Sequence, residues 1–523
     1  MSANRDVANP PVRQAGKWSR LRRLIVVSSK WLAISLLVLG GYWLVRGWYL
    51  HTHGYAQLAE AVAQTNRDFP GWTWRELRAE LLRQPDADRG ALLLEQLYDK
   101  VLAKQIELPF GQGTLDSFTL PWALGHYPGS SLRQAIKARQ PLRRPAATNK
   151  VLAELEDLRR ELHKFRGIPA GGRLDEKAPD FWRMPKHHSM CKLLGQAAVL
   201  WALEELAAGR PQQVLEYAEV LLGLANAIRR EKFVLAVVLC HELELKAARL
   251  VELTLAHEQV PKASLARLHS RFIEALRHPT LVDVLWGERA RLYDLMERLD
   301  HDPEELQELH DYFAGLEARN PFRGQITWTQ RALEHAMAAL GYWKLYANLP
   351  ATRAKSLGYF NQAIRLAELP GEQFLLELGR FEMAWRVGPA YRSPWCPTVI
   401  CLLDFGCQAT LTEIYETVRL RQECLEATVL GIAYERYRLK EGRWPARLRQ
   451  LPAEWLPQLP PPQLEQHLQV FSLPEGLVIW ADRPPQFGRR QFLMTTWDHF
   501  LSQDNTFLLL EPEDRLSSKR RDL

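Results

Sequence analysis

Histidine and cysteine come together at helical spacing in one stretch, His187-His188-Ser189-Met190-Cys191, with Cys240-His241 further along the chain. His188 and Cys191 stand three residues apart, so a helix puts them on one face. Imidazole nitrogen and thiolate sulfur are the donors of tetrahedral zinc sites. If the helix carrying Cys240 and His241 packs against the first, then His188, Cys191, Cys240 and His241 make a candidate metal set. The plainer reading is structural: His187 and His188 cap a helix start in solvent, and both cysteines fill core. The sequence favours this plainer reading, because an exported thiolate site also competes with oxidation.

Other chemistry is thin. The chain has no GxSxG, no HExxH and no phosphate loop ending in GK[ST], and His241-Glu242 and His257-Glu258 each lack the second histidine four residues on. Gly111-Gln112-Gly113 lacks the third glycine of a dinucleotide fingerprint and reads as a turn. Glu154, Asp157 and Glu161 share a helical face and could imitate an acid/base pair. They lie among Arg159, Arg160 and Lys164, as a solvated, salt-bridged face would. Eighteen tryptophans could line a sugar or peptide groove, but core filling accounts for most of them. No catalytic residue and no cofactor is assigned.

The elements that must carry these residues hang from one stretch, Arg20 to Leu50 (RLRRLIVVSSKWLAISLLVLGGYWLVRGWYL). Between Leu24 and Val45 only Lys30 is charged, and about 20 predominantly apolar residues suffice to cross a bilayer as a helix. Lys30 lies near one end, where its stem can snorkel, and Trp31, Tyr42, Trp43, Trp48 and Tyr49 suit the interfaces. Arg5, Arg13, Lys17, Arg20, Arg22 and Arg23 precede the run, while Arg46 stands alone after it. The positive-inside rule then puts the N-terminus in the cytoplasm and the body in the periplasm. A cleaved signal peptide needs a small-x-small site soon after the apolar run. The first such triplet, Ala61-Val62-Ala63, comes too far downstream, so an uncleaved signal anchor in the inner membrane is expected.

The 523 residues suffice for two or three domains with a substantial core. A mean hydropathy of -0.27 fits one anchor on a soluble body rather than a multi-span transporter. The net charge of +7 gathers largely in the N-terminal basic segment, which anionic lipid explains, so no nucleic-acid partner is expected. The basic clusters at Arg139–Arg144 and Lys519–Arg521 read as solvated. Six cysteines without a CxxC pair exclude a disulfide scaffold, although Cys396, Cys401 and Cys407 lie close enough in sequence for a local bridge.

Taken in order, residues 1–23 read as a cytoplasmic basic tail and 24–45 as the transmembrane anchor. Residues 46–408 read as an extracytoplasmic helical domain, 409–512 as a long helix with a small β-module, and 513–523 as a disordered tail. Tyr55–Asn66 continues the anchor as a stalk, and Pro70-Gly71 turns the chain so that Trp72 and Trp74 bury. A helix is expected over 148–164, then a Gly/Pro-rich connector, GIPAGGRLDEKAP, then helix after helix from Met190 to Leu349. Their lengths hold no constant period, which points to an irregular helical-hairpin stack of tetratricopeptide-like type. From Ala409 to Lys440 one long helix packs a single face on the bundle, since the companion positions Arg421, Thr428 and Glu435 are polar. HLQVFSLPEGLVIWAD alternates like a β-hairpin with its loop at Pro474-Glu475-Gly476, and FLMTTW and FLLLEP supply further strands. The fold class is therefore mainly α: one N-terminal transmembrane helix, an irregular helical bundle and a small C-terminal α+β module.

Two segments resemble known families. Tyr434–Leu451 (YERYRLKEGRWPARLRQL), through Tyr437, Gly442, Trp444 and Pro445, resembles the helix-exit segment of type II secretion pseudopilins, where a long helix gives way to a small sheet. The whole layout resembles uncharacterised single-pass membrane proteins of planctomycete bacteria: anchor, a Pro70-Gly71-Trp72 segment, helical middle and the Gly442–Pro445 ending. These resemblances imply topology and fold and bring no activity. The functional expectation is a membrane-anchored envelope protein with an interaction or structural role, meeting exported protein partners. A membrane-tethered hydrolase or metal-dependent enzyme, and an accessory component of a secretion apparatus, are the alternatives.

Overall fold

The computed structural model describes residues 15–103, 153, 155–179, 184–257, 260–277, 279–302, 304–305, 307–308, 328–369, 373–374, 376–381, 411–456, 468–473, 476–481 and 506–510. The expected bridge among Cys396, Cys401 and Cys407 lies outside these residues, as do Gly111–Gly113, Arg139–Arg144, FLMTTW and both terminal tails up to residue 14 and from residue 511.

The chain opens on one unbroken helix, α1 (Ala15–Asp68). Phe69-Pro70-Gly71-Trp72 ends it. Trp72 buries its ring edge-on to Tyr293, and its indole N–H donates to Asn66 at 2.7 Å. Thr73 and Glu76 then form a reciprocal capping box that starts α2 (Trp74–Leu82), and α3 (Arg89–Ala103) follows. After α4 (Glu156–Leu162) and a 3-10 turn come α5 (Lys186–Ala207), α6 (Pro211–Asn226), α7 (Val234–His257), α8 (Lys262–Leu276) and α9 (Leu281–His301). Pro211 takes the first helical turn of α6, where its missing N–H costs nothing, and Thr280 with Asp283 caps α9. Two long helices, α10 (Trp328–Ala367) and α11 (Leu411–Glu441), precede the strands β1 (Leu468–Leu473), β2 (Gly476–Ala481) and β3 (Thr506–Leu510). The protein is mainly helical with a small antiparallel sheet of order β1-β2-β3.

The hairpin forms where the alternation placed it, with Val470 opposite Ile479 and Ile479 opposite Phe507. Those residues share one sheet face with Leu468, Leu477 and Leu509, and that face joins the core of α3 and α5–α8. Among the described residues no separate C-terminal core stands apart from the helices. A second core gathers the end of α1, α9, α10 and the start of α11.

Three expectations change. The connector after α4 is a strap bound on both sides. Gly171 N–H donates to Asn226 O and Gly172 N–H to Ala87 O, each at 2.8 Å, while Ala178 N–H reaches Asp294. The helical run does not stop at Leu349, because α10 passes through Pro350, whose ring lies against Gly54 of α1. Most of α11 between Arg421 and Glu435 is buried on all sides rather than along one face, held between α7, α8 and the sheet. Its polar residues survive burial by pairing: Arg421 holds Glu244 at 2.7 Å, and Arg438 holds Glu435 at 2.7 Å.

α1 and α10 run parallel at almost constant sequence offset. His51 stacks on Tyr346, Gly54 meets Ala351, Asn361 donates to Thr65, and Arg365 pairs with Asp68. Contacts of α1 with α10 are in place from His51 onward; before it, Trp31, Ile34, Leu37, Val38, Leu39, Tyr42, Leu44, Val45, Trp48 and Tyr49 are exposed. Among the described residues no helix is long and apolar enough to cross a membrane. The span expected at 24–45 is therefore not among the features found. Lys30 interrupts it, Ser28, Ser29 and Ser35 dilute it, and the side chains at 24–27, 32, 33 and 36 lie outside the described ones.

Candidate metal centre

Helix α5 begins at Lys186 behind Pro185, with no side-chain cap at its N-terminus. Its first turn carries His187 and His188, both buried, so the two imidazoles do not cap a helix start in solvent. They converge on Glu231, a carboxylate from the loop between α6 and α7. His187 Nε2 lies 3.0 Å from Glu231 Oε1, and His188 Nε2 lies 2.5 Å from Glu231 Oε2. The two rings meet edge to face, and His188 stacks on Phe233 at 5.5 Å between centroids.

Backbone geometry brings the carboxylate there. Arg230 N–H donates to Gly171 O at 2.8 Å, which ties the α6–α7 loop to the strap. Arg173 N–H donates to Glu231 Oε1 at 3.0 Å. A Cβ on Gly172 would fall 2.5 Å from Glu231 Cγ, so only glycine lets the strap pass this close to the acid. On the other side Glu95 of α3 lies 3.5 Å from His187 Nδ1, and Arg173 Nε is 3.4 Å from the same Glu95 oxygen.

Electrostatics sharpen the picture. Burial alone would lower the His187 imidazole, but the facing Glu231 and Glu95 carboxylates outweigh it and lift the group to about 9. Burial would raise the Glu231 acid, yet the two histidines hold it down at about 2. His188 goes the other way: burial lowers it, and Glu231 offsets only part of that. The two carboxylates therefore pull His187 toward its charged form, while burial pulls His188 away from its own. The Nδ1 of His188 has no hydrogen-bond partner among the described residues.

The metal set read from the sequence is not what the fold assembles. His188 turns to Glu231, while Cys191 donates its S–H to Leu224 O at 3.5 Å and Cys240 donates to Ala225 O at 3.4 Å. Both thiols are buried, and burial pushes Cys240 up to about 12 and Cys191 up as well. They are core residues, as the plainer reading had it. His241 is half-buried on α7 and does not join the cluster. Glu161 pairs with Lys164 at 2.7 Å as a solvated face would, and Glu154 lies outside the described residues.

Glu231 and Glu95 escaped the sequence reading. Glu231 sits in Arg229-Arg230-Glu231-Lys232, a charged run between two apolar helices that looks like a solvated turn. Nothing in its spacing announces two histidines more than forty residues earlier.

Glu95 also lines a cavity of about 800 Å³, with Tyr98, Asp175, Lys186, Arg298 and Glu305 among the other walls. Compared with known proteins, the chain matches no family model, no curated protein and no solved structure.

Proposed function

We propose that this protein is anchored in a membrane through α1 and holds a helical body beside the bilayer in an interaction or structural role. The observation that carries the reading is the change in exposure along one continuous helix. Trp31, Ile34, Leu37, Val38, Leu39, Tyr42, Leu44, Val45, Trp48 and Tyr49 are exposed, whereas from His51 onward α1 packs on α10 through Tyr346, Ala351, Asn361 and Arg365. Apolar side chains grouped on a projecting helix call for an apolar surrounding. Residues 24–45 rise about 33 Å as a helix, close to the ~30 Å of a hydrocarbon core. The basic residues before the run favour a cytoplasmic N-terminus and a body across the membrane. The structural role of the body is supported by its buried charges, which pair with one another: Arg229 and Arg421 both hold Glu244, and Arg353 holds Asp300.

The pseudopilin-like exit segment supports a local device more than a place in a secretion apparatus. Gly442 ends α11 and the sheet follows, but α11 is enclosed by its own chain and offers no long free face for filament packing.

Protease accessibility in intact spheroplasts, with a tag at each end, tests the proposal. Digestion of the C-terminal tag with survival of the N-terminal one is the expected result. Protection of both tags, or recovery of the protein in the soluble fraction, would sink it.

A further inference from the structure

We propose that His187, His188 and Glu231 bind one Zn²⁺ ion, with Glu95 positioning His187 from behind. The three residues each offer a donor atom, and these atoms all lie within 4.8 Å of one another. A tetrahedral ion with ligand bonds of 2.0–2.2 Å sets its donors roughly 3.3 Å apart. The 3.0 Å from His187 Nε2 to Glu231 Oε1 is already near that figure; His188 Nε2 lies 2.5 Å from the other oxygen, Oε2, so the carboxylate must turn as well as draw back to present one oxygen between the two rings.

The donor chemistry selects the metal. Two imidazoles and one carboxylate suit zinc, whereas calcium and magnesium take oxygen shells. Ligating histidines characteristically give their second nitrogen to a carboxylate, which fixes the ring and raises its basicity. Glu95 stands at 3.5 Å from His187 Nδ1 in that position, and Arg173 N–H fixes the Glu231 carboxylate at 3.0 Å. Zn²⁺ displaces the proton that His187 holds between Glu231 and Glu95, and the two carboxylates then balance the cation.

Access and completeness fit as well. The three donors are buried, yet Glu95 belongs both to the cluster and to the wall of the 800 Å³ cavity, so the way in lies past its side chain. Three protein donors leave a fourth position for water or another small ligand, the arrangement of open rather than purely structural zinc sites. The thiols stay out of this site because Cys191 and Cys240 are committed to backbone carbonyls of α6.

The test uses the full chain in detergent, stripped with a chelator and titrated with Zn²⁺ by calorimetry and with Co²⁺ by visible absorption. The expected result is one saturable equivalent whose Co²⁺ spectrum has tetrahedral bands and no thiolate charge-transfer band. His188→Gln should remove the equivalent, Cys191→Ala should leave it intact, and Glu95→Gln should weaken it about 10–100-fold. Each variant is first matched to wild type by circular dichroism. Should His188→Gln not fold, the surface-proximal Glu95→Gln and the wild-type Co²⁺ spectrum decide. No saturable equivalent in the wild type overturns the proposal, and so does a thiolate band or an affinity indifferent to Glu95.

Discussion

A histidine in this fold can be a ligand, an ion-pair partner or a pH-dependent liability, and burial decides which. His269 of α8 belongs to the third kind. Burial, with Arg436 donating to its Nδ1 at 2.5 Å, pushes its imidazole down to about 4. The unfolded chain takes up that proton near 6.5, so between about 6.5 and 4 the unfolded state binds more protons than the folded one. Stability must therefore fall as pH falls through this window, by on the order of 3 kcal/mol at its lower end. Urea midpoints at several pH values should drop across it, and His269→Gln should flatten the drop. A slope that His269→Gln leaves unchanged would assign the effect elsewhere. The sequence did not disclose this role, because SLARLHSRF reads as an ordinary amphipathic turn with a polar histidine. The same blindness applied to Glu231: a charged residue in a charged run looks solvated until the strap at Gly172 closes over it. What could be read at this scale was the core status of Cys191 and Cys240, since each sits within a strongly apolar helix.

Among the elements, α11 departs furthest from what periodicity suggested. Its polar companion positions implied one buried face, yet those residues, Arg421, Thr428 and Glu435, are buried too. Pattern reading fails there because pairing, invisible in one dimension, makes burial of charge tolerable. Arg421 donates to Glu244 and to Ala275 O at 2.8 Å, while Arg229 holds the same Glu244 at 2.7 Å. Removing Arg421 opens a buried space, frees Ala275 O and leaves Glu244 to Arg229 alone, so Arg421→Ala should cost about 3–5 kcal/mol in urea unfolding. Arg421→Met should cost less than Arg421→Ala, because an apolar side chain fills the space while Arg229 keeps its pair with Glu244. A single variant with unchanged midpoint would show that the triad contributes nothing. The helix end, by contrast, was plain in the residues. Gly442 adopts φ +76°, its N–H reaches Arg438 O at 2.8 Å, and Pro445 forbids continuation. Gly442→Ala should destabilise by roughly 1–2 kcal/mol, read by the same unfolding curves, because a Cβ resists that conformation. The β-hairpin was equally legible, since two short apolar runs, LQVFSL and GLVIWA, flank Pro474-Glu475.

For the molecule as a whole, residues on both sides of position 408 contribute to one core among the described residues. Leu425, Leu430, Ile479 and Phe507 share one cluster with Leu94, Leu194, Leu221 and Leu268. A chain ending at residue 408 would leave the α7 and α8 faces bare and strip Arg421 from Glu244. Such a chain should be insoluble or lose its cooperative unfolding, measured beside the full chain in the same detergent. A soluble fragment that still melts cooperatively would restore the two-part reading. Composition could locate the long helix and the strands, but not the surface they cover, because burial of a terminal module is a property of tertiary contact. The parallel seam of α1 and α10 has a different kind of consequence. Because the seam is in place by His51 and α1 has no break before it, the helix acts as a keyed shaft between its exposed N-terminal stretch and the body, fixing rotation as well as height. One residue inserted before Trp43 would turn the body by about 100° and lift it by about 1.5 Å, whereas seven would return it to within roughly 20° of its starting azimuth. Which side of the body meets a neighbour would then be set by helical phase at a single junction.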